Sequence, residues 1–342
     1  MRYYRLLLDG KELCAQNAKN PTGLQIQFNI QTMNEGDTAN SEITVYNPPL
    51  WMFGEYMTLY NKKIELYAGV TSTPISSLIG IEPAKQDLIV SGFIGAIFPA
   101  WNEADMQLTF ILNQVPQYST NADGTVDFTK SPGGYQFRTK AGDVAASAIS
   151  DALAEIAPGV PMVDRTDGAT IPIPCTAPVF TVTGLASIVS AWGLLLMYNG
   201  QGYILNTRAN PVYGQEVKLK KQDFLCQPSA LGVSEMAITT FIRGDIRMGD
   251  LVVMPDDMFV GITNLAGSIA NSTGLEDYLR TTGRNLFTLF SGKWIVNKIW
   301  HVGDLRNTDV QSWATHFNVV KYNDSTGVEE LPNYLTIETP AA

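Results

Sequence analysis

A chain of 342 residues has room for two or three domains of about 150 residues each. With 45% apolar and 16% charged residues it can fill its cores without staples, and it is not disordered over most of its length. A formal charge of -10 excludes the clustered Lys and Arg that a nucleic-acid-binding surface needs, yet is compatible with nucleic acid that passes without sticking.

The N-terminal apolar run Leu6-Leu7-Leu8 stops at Asp9, too short for a secretory segment, and no later run reaches membrane-spanning length. A soluble protein made in a cytoplasm, with no membrane insertion, is expected. Cys14, Cys175 and Cys226 are odd in number and far apart, which offers neither a disulfide framework nor a metal spacing and points to a reducing compartment during folding.

Residues 1–113 read as strands and turns. A first strand is expected over residues 2–8. A hairpin follows, in which Leu24, Ile26, Phe28 and Ile30 alternate with Gln25, Gln27 and Asn29, and Ile43 and Val45 alternate with Glu42, Thr44 and Tyr46. Period two puts one apolar face on each strand, as a half-buried antiparallel pair requires. Asn34-Glu35-Gly36-Asp37 supplies the turn, and Pro48-Pro49 ends the pairing because proline cannot donate to a ladder. Further strands are expected over residues 64–68, 88–97 and 107–112. So many short strands suggest a small barrel or sandwich.

Residues 114–142 shift to Gln, Ser, Thr, Asn, Gly and Pro, an exposed connection. Asp143 is then a candidate cap for a helix with Val144, Ala145, Ala148, Ile149, Ala152, Leu153 and Ile156 on one stripe, stopped by Pro158-Gly159. A second helix is expected from Thr183 as cap to Gly193. A hairpin with an Asn199-Gly200 turn follows, so residues 114–212 form an α+β middle region.

From residue 213 to 321 the chain is β again, with strands expected near residues 216–219, 236–242, 251–254, 286–290, 294–302 and 313–320. A long loop is expected over residues 264–277, and residues 322–342 read as an arm.

Chemical motifs are sparse. There is no GxSxG elbow, phosphate-cradling glycine loop, HExxH or CxxC, so no cofactor, metal or catalytic site is expected. His301 and His316 are the only histidines and are read as structural. Glu103 with Asp105, and Asp256 with Asp257, have the composition of a glycosidase dyad but sit at turn-like positions with no aromatic cleft pattern, so they are read as solvated carboxylates. Arg243-Gly244-Asp245 is read as a turn. Trp294, Trp300, Trp313 and Phe317 alternate on strands and are assigned to core. Trp51, Met52, Phe53 and Tyr56, after the double proline, are harder to bury, and Trp51, Phe53 and Tyr56 are candidate intersubunit contacts.

Several of these stretches in order resemble phage tail baseplate hub proteins. They are the residue 24–46 hairpin ending Ser41-Glu42-Ile43-Thr44-Val45-Tyr46-Asn47, the segment Lys63-Ile64-Glu65-Leu66-Tyr67-Ala68-Gly69, and the strand Ile89-Val90-Ser91-Gly92-Phe93-Ile94-Gly95. Later come the turn Arg247-Met248-Gly249-Asp250, the strand ending His301-Val302-Gly303-Asp304, and the closing Ser312-Trp313-Ala314-Thr315-His316-Phe317. The resemblance spans nearly the whole chain and departs most in the middle region.

It implies a mainly β protein in which two tail-tube-like antiparallel β-barrel domains, residues 1–113 and 213–321, flank the α+β region. It implies a non-enzymatic virion component, a homotrimer whose six similar units form a pseudo-sixfold ring joining a hexameric tail tube or distal tail protein to a trimeric spike or tip. DNA would pass through such a ring without specific binding, with Glu35, Asp37, Glu103 and Asp105 as candidate channel or interface carboxylates. A second reading is a receptor- or carbohydrate-binding β-module of the same virion using exposed aromatics, and a third is a cell-wall hydrolase built on Glu103.

Overall fold

Alternation of apolar and polar residues sets about half of the described residues into strands. The computed structural model describes residues 2–16, 23–33, 41–70, 87–102, 105–116, 118–120, 126–127, 134–208, 214–231, 234–255, 290, 292–323 and 327–328. In the first part, β1 (Arg2–Leu8) and β2 (Lys11–Gln16) form a hairpin. They are followed by β3 (Ile26–Met33), β4 (Ser41–Tyr46), α1 (Leu50–Gly54), β5 (Lys63–Val70), β6 (Asp87–Asn102) and β7 (Asp105–Asn113). The middle part holds β8 (Ser119–Thr120), β9 (Val126–Asp127), β10 (Tyr135–Arg138), α2 (Ala145–Ile156), β11 (Met162–Arg165), β12 (Thr176–Val179), α3 (Val182–Ala191), β13 (Leu194–Tyr198) and β14 (Tyr203–Thr207). The last part holds β15 (Glu216–Lys218), β16 (Ser229–Ala230), β17 (Glu235–Phe241), β18 (Leu251–Met254), β19 (Gly292–Asp304), β20 (Trp313–Asn323) and β21 (Gly327–Val328).

The chain is therefore mainly β with an α+β insertion, as the sequence implies. The expected hairpin is β3 with β4, and its apolar positions Ile26, Phe28, Ile30, Ile43 and Val45 are all buried. Pairing stops at Tyr46, where Asn47 turns the backbone to φ 51° ahead of the prolines. Strand β2 and helix α1 carry no clear periodicity and were not expected from the sequence. Strand β6 continues past Ile97 to Asn102 because β7 pairs with it throughout, Pro99 included. The expected strand over residues 286–290, apart from Phe290, lies outside the described residues. So do the loop over residues 264–277 and most of the arm.

Both helix caps differ from expectation. Asp143 accepts the backbone N–H of Lys140 at 2.7 Å and closes a turn instead of capping α2, whose N-cap is Val144 with no side-chain bond. Helix α3 is capped by Thr181, whose hydroxyl accepts the N–H of Gly184 at 3.1 Å, while Thr183 lies inside the first turn. Thr181→Ala is expected to cost about 0.5–2 kcal/mol in a denaturant titration. Thr183→Ala, which removes no cap, should move the midpoint much less.

In the middle region α3 covers β13 of the β13–β14 hairpin, and α2 packs on β10 and α3. Phe137 and Trp192, with ring centroids 5.6 Å apart, lie in the core with Ile149, Leu153 and Leu205. Strand β11 pairs parallel to β14. The hairpin's tip docks on the first β-region: the Tyr198 hydroxyl donates to the Ser91 carbonyl at 2.7 Å, and Ser91 N–H donates to the Gly200 carbonyl at 3.3 Å.

The two terminal β-regions are joined edge to edge. Along one continuous sheet the order is β16-β17-β20-β19-β3-β4-β7-β6-β5-β1-β2, with β18 and β15 also hanging from β19. The join is antiparallel pairing of β3 with the C-terminal half of β19, from Gln27 opposite Asp304 to Met33 opposite Lys298.

On either side of that join the topology repeats. The first unit runs β3-β4-β7-β6-β5-β1 and the last runs β16-β17-β20-β19-β18-β15, the same connectivity strand for strand. Four of the five neighbour pairs match in sense, all antiparallel. The fifth differs, β1 being antiparallel to β5 and β15 parallel to β18.

Irregular features repeat in register too. Both long strands carry a bulge, at Gly95 in β6 and Asn297 in β19. In each, the residue before the bulge, Ile94 or Val296, accepts at 2.9 Å from a left-handed residue, Asn61 at φ 58° or Gly249 at φ 82°. Counting from the bulges makes Ile97 equivalent to Ile299 and Phe110 to Phe317, all four buried.

Candidate functional site

Three surfaces follow from this architecture: the seam between the units, a set of exposed apolar side chains, and the polar face of the continuous sheet. At the seam, Gly303 lies opposite Phe28 on one side and Trp313 on the other. A Cβ at residue 303 would fall 2.1 Å from the Phe28 ring, so glycine is required there for space. The rings of Phe28 and Trp313 meet edge-on with centroids 5.2 Å apart. The buried Trp313 indole donates to the Gly69 carbonyl at 3.0 Å, so a strand of the last unit is packed into the core of the first. Arg2 lies over the same indole, 5.8 Å from its centroid, and donates to the Asp304 carbonyl at 2.7 Å.

The histidines flank this seam and do not form a joint site. His301 is buried, and its Nδ1 lies 2.9 Å from the Thr315 hydroxyl, which donates to the Arg243 carbonyl. Burial, with a smaller contribution from His316, pushes its pKa down to about 3, so it is neutral and structural. His316 stacks on Trp300 at 5.1 Å on the opposite face of the sheet, with its Nδ1 3.0 Å from Thr239. Trp294, Trp313 and Phe317 are buried as expected, while Trp300 is half-exposed on the outer face.

Arg243-Gly244-Asp245 is a turn closed by a two-pronged pair, Arg243 Nε to Asp245 Oδ1 and a terminal nitrogen to Oδ2, both 2.7 Å, with Asp223 3.4 Å away. Burial opposes the charge on Arg243, but these carboxylates raise its pKa and keep it ionised. A closed, internally paired Arg and Asp offer nothing to an adhesion receptor.

Of the candidate carboxylates, Glu35, Asp37 and Glu103 lie outside the described residues, as do Asp256 and Asp257. Asp105 is described and is already engaged: it accepts from Asn47 Nδ2 at 3.1 Å and from Arg306 at 2.7 Å. Those bonds, the Asn47 one first, hold its carboxyl below the usual range. Asp105 therefore straps the start of β7 to the loop between β19 and β20, across the two units.

Of the candidate contact residues, Trp51 is 51% exposed on α1, while Phe53 and Tyr56 are half-buried, Tyr56 packing against the first core. Met52 between them is fully buried and anchors the helix. Exposed apolar side chains that sequence reasoning did not single out include Leu50, Phe98, Trp101 and Leu231. A signal for two of them was present: the run Ile94-Gly95-Ala96-Ile97-Phe98-Pro99-Ala100-Trp101 is apolar on both faces, which a half-solvated strand is not.

The outer face of the sheet is amide- and hydroxyl-rich. It presents Gln27, Asn29 and Gln31 from β3, Thr44 and Glu42 from β4, Gln107 and Thr109 from β7, Lys298 and Trp300 from β19, and Asn318 and His316 from β20. Thr44 and Thr109 share a hydrogen bond of 2.9 Å. Among the described residues, no group of three His, Cys, Asp or Glu could hold a metal ion, and no helix is long and apolar enough to cross a membrane.

Solved structures share this fold. A tail protein from Neisseria meningitidis MC58 superposes with a TM-score of 0.51 at 9% identity, over 95% of this chain and 98% of that one. The 43 kDa tail protein of prophage MuSo2 from Shewanella oneidensis gives 0.50 at 9% identity, over 96% and 99%. The chain has the fold of these phage tail proteins. The likeness to tail proteins carried by the short sequence stretches thus holds at the level of the tail-protein fold, end to end and including the middle region. No family model matches, and no curated protein matches by sequence. At 9% identity the fold has been kept while nearly every side chain has changed.

Proposed function

We propose that this chain is a structural, non-enzymatic component of a phage tail: a baseplate hub that assembles as a trimer. Its six β-units make a pseudo-sixfold ring between the hexameric tail tube and a trimeric spike or tip. The observation that carries this reading is the internal repeat. Two units with the same strand order, fused edge to edge by β3 and β19, are what a threefold assembly needs in order to offer six similar surfaces. The middle region occurs once per chain and would keep the ring threefold on its own side. Trp51 on α1, with Phe53 and Tyr56 behind it, is assigned to contact with a neighbouring tail component.

In this reading the polar face of the sheet lines the passage. Lys298 is one cation among amides and hydroxyls on this face, with Glu42 of opposite sign, so DNA slides along it and is not held. Of the four candidate carboxylates Asp105 is engaged by Arg306, while Glu35, Asp37 and Glu103 lie outside the described residues. Purified protein is expected to show no retention of duplex DNA at physiological salt in a gel-shift or filter assay, and tight salt-sensitive binding would refute the passive lining. Light scattering is expected to give three times the 37.4 kDa chain mass, alone or on addition of the cognate tube protein. A monomer under both conditions would refute the ring.

A further inference from the structure

The repeat makes one pairing conspicuous. Strand β3 of the first unit lies against the C-terminal half of β19, alongside β18 on the same edge. The equivalent half-edge of β6, beyond Phe93 where β5 stops, is paired with no strand among the described residues. The strand equivalent to β3 is β16, whose far edge likewise has no strand partner among the described residues. We propose that β16 of a second copy of this chain pairs antiparallel with this half-edge of β6, repeating between chains the join that β3 makes with β19 within one. This builds on the ring reading and names the surface that closes the ring.

The repeat also gives the register. Asn29 lies opposite Glu42 and Ser229 opposite Ala237, and Glu42 and Ala237 occupy equivalent places, so Ser229, Ala230 and Leu231 correspond to Asn29, Ile30 and Gln31. Gln31 faces Trp300, and Trp300 corresponds to Phe98. Leu231 therefore meets Phe98 across the new pair. Both are large apolar side chains left in solvent, 54% and 58% exposed. Phe98 is bare where its counterpart Trp300 is flanked by β3, which is what a missing strand produces.

Ala230 falls opposite Pro99. Leu231 N–H bonds back to Glu235, so by alternation Ala230 points its N–H outward, towards the Pro99 carbonyl. Pro99 and Pro228 remove one donor from each edge, which lets this edge pair in the intended register while discouraging indiscriminate strand addition.

The Phe98–Leu231 pair falls at a non-hydrogen-bonded position, where Cα atoms are about 4.5 Å apart, a spacing that a disulfide spans. The test uses full-length protein in which the exposed Cys226 and part-exposed Cys175 are serine, with Phe98→Cys and Leu231→Cys in one chain. Mild oxidation is expected to give covalent dimers and trimers on non-reducing gels, and Phe98→Cys with Val310→Cys, equally exposed elsewhere, is expected to give none. Leu231→Asp, tolerated by an exposed site, should abolish the trimer in light scattering with unchanged circular dichroism. A trimer that neither cross-links through residues 98 and 231 nor responds to Leu231→Asp overturns the edge pairing and leaves the ring standing. A chain that stays monomeric overturns both.

Discussion

Trp313→Ala is expected to be among the most destabilising single changes in the chain, by about 3–5 kcal/mol in a denaturant titration. Trp313 is 2% exposed, although it sits on the last unit's strand β20. It packs among side chains of the first unit, against Phe28, with its indole bonded to Gly69 of β5. Truncation leaves a large cavity over Gly303, which has no side chain to fill it, and an unpaired carbonyl on β5. It also removes the ring beneath Arg2. Trp313→Phe keeps most of the volume and loses the indole donor, so about 0.5–1.5 kcal/mol is expected for the hydrogen bond. Trp300→Ala is the control: its half-exposed ring stacked on His316 is worth about 0.5–1.5 kcal/mol. Equal effects at residues 300 and 313 would mean that the seam does not fuse the units.

The second large effect is loss of stability in mild acid through His301. Its folded pKa of about 3 lies below the ordinary value of 6.5. Between those values the unfolded chain binds a proton that the folded chain refuses, so stability is fully present above pH 6.5 and falls as pH drops below it. The slope is about 1.4 kcal/mol per pH unit, or roughly 2 kcal/mol by pH 5. His316, also lowered by burial, acts in the same direction. Asp105, held low by Asn47 and Arg306, adds its loss at more acid pH, as its carboxylate is protonated. Asp250, raised by burial against its hydrogen bonds, acts in the opposite sense. His301→Asn can keep a bond to Thr315 without the titrating ring. Denaturant midpoints measured from pH 7.5 to 5 should fall steeply for the parent and less for this variant, and parallel curves would show that His301 is not the acid-sensitive group.

Much of the fold was legible in the chain. Ile26, Phe28, Ile30, Ile43 and Val45 announced their strands because each lies on a sheet with one solvated face, where burial and period two coincide. Helix α2 was equally plain, but its start was misassigned: Asp143 competes for a nearby backbone N–H and closes a turn instead of capping. Strand β2 escaped because Lys11-Glu12-Leu13-Cys14-Ala15-Gln16 has no strict alternation, and its position is set by β1.

The repeat was hidden for a physical reason. Equivalent positions share a packing role more than a residue: Phe110 and Phe317 coincide, but Thr109 answers to His316 and Pro99 to His301. Connectivity and bulge position carry the likeness where identity does not. Of the proposed assembly surface, Trp51 stood out after the double proline. Leu231 and Phe98 acquire meaning only once β3 with β19 shows what their counterparts do.

The decisive observation is an image. Single-particle averages of the assembled protein, viewed down the axis, should show a ring of six similar lobes around an open centre, threefold where the middle regions lie. A lone particle without lateral contacts, or a ring with one lobe per chain, would contradict the claim that two fused units, taken three times, stand in for a hexamer.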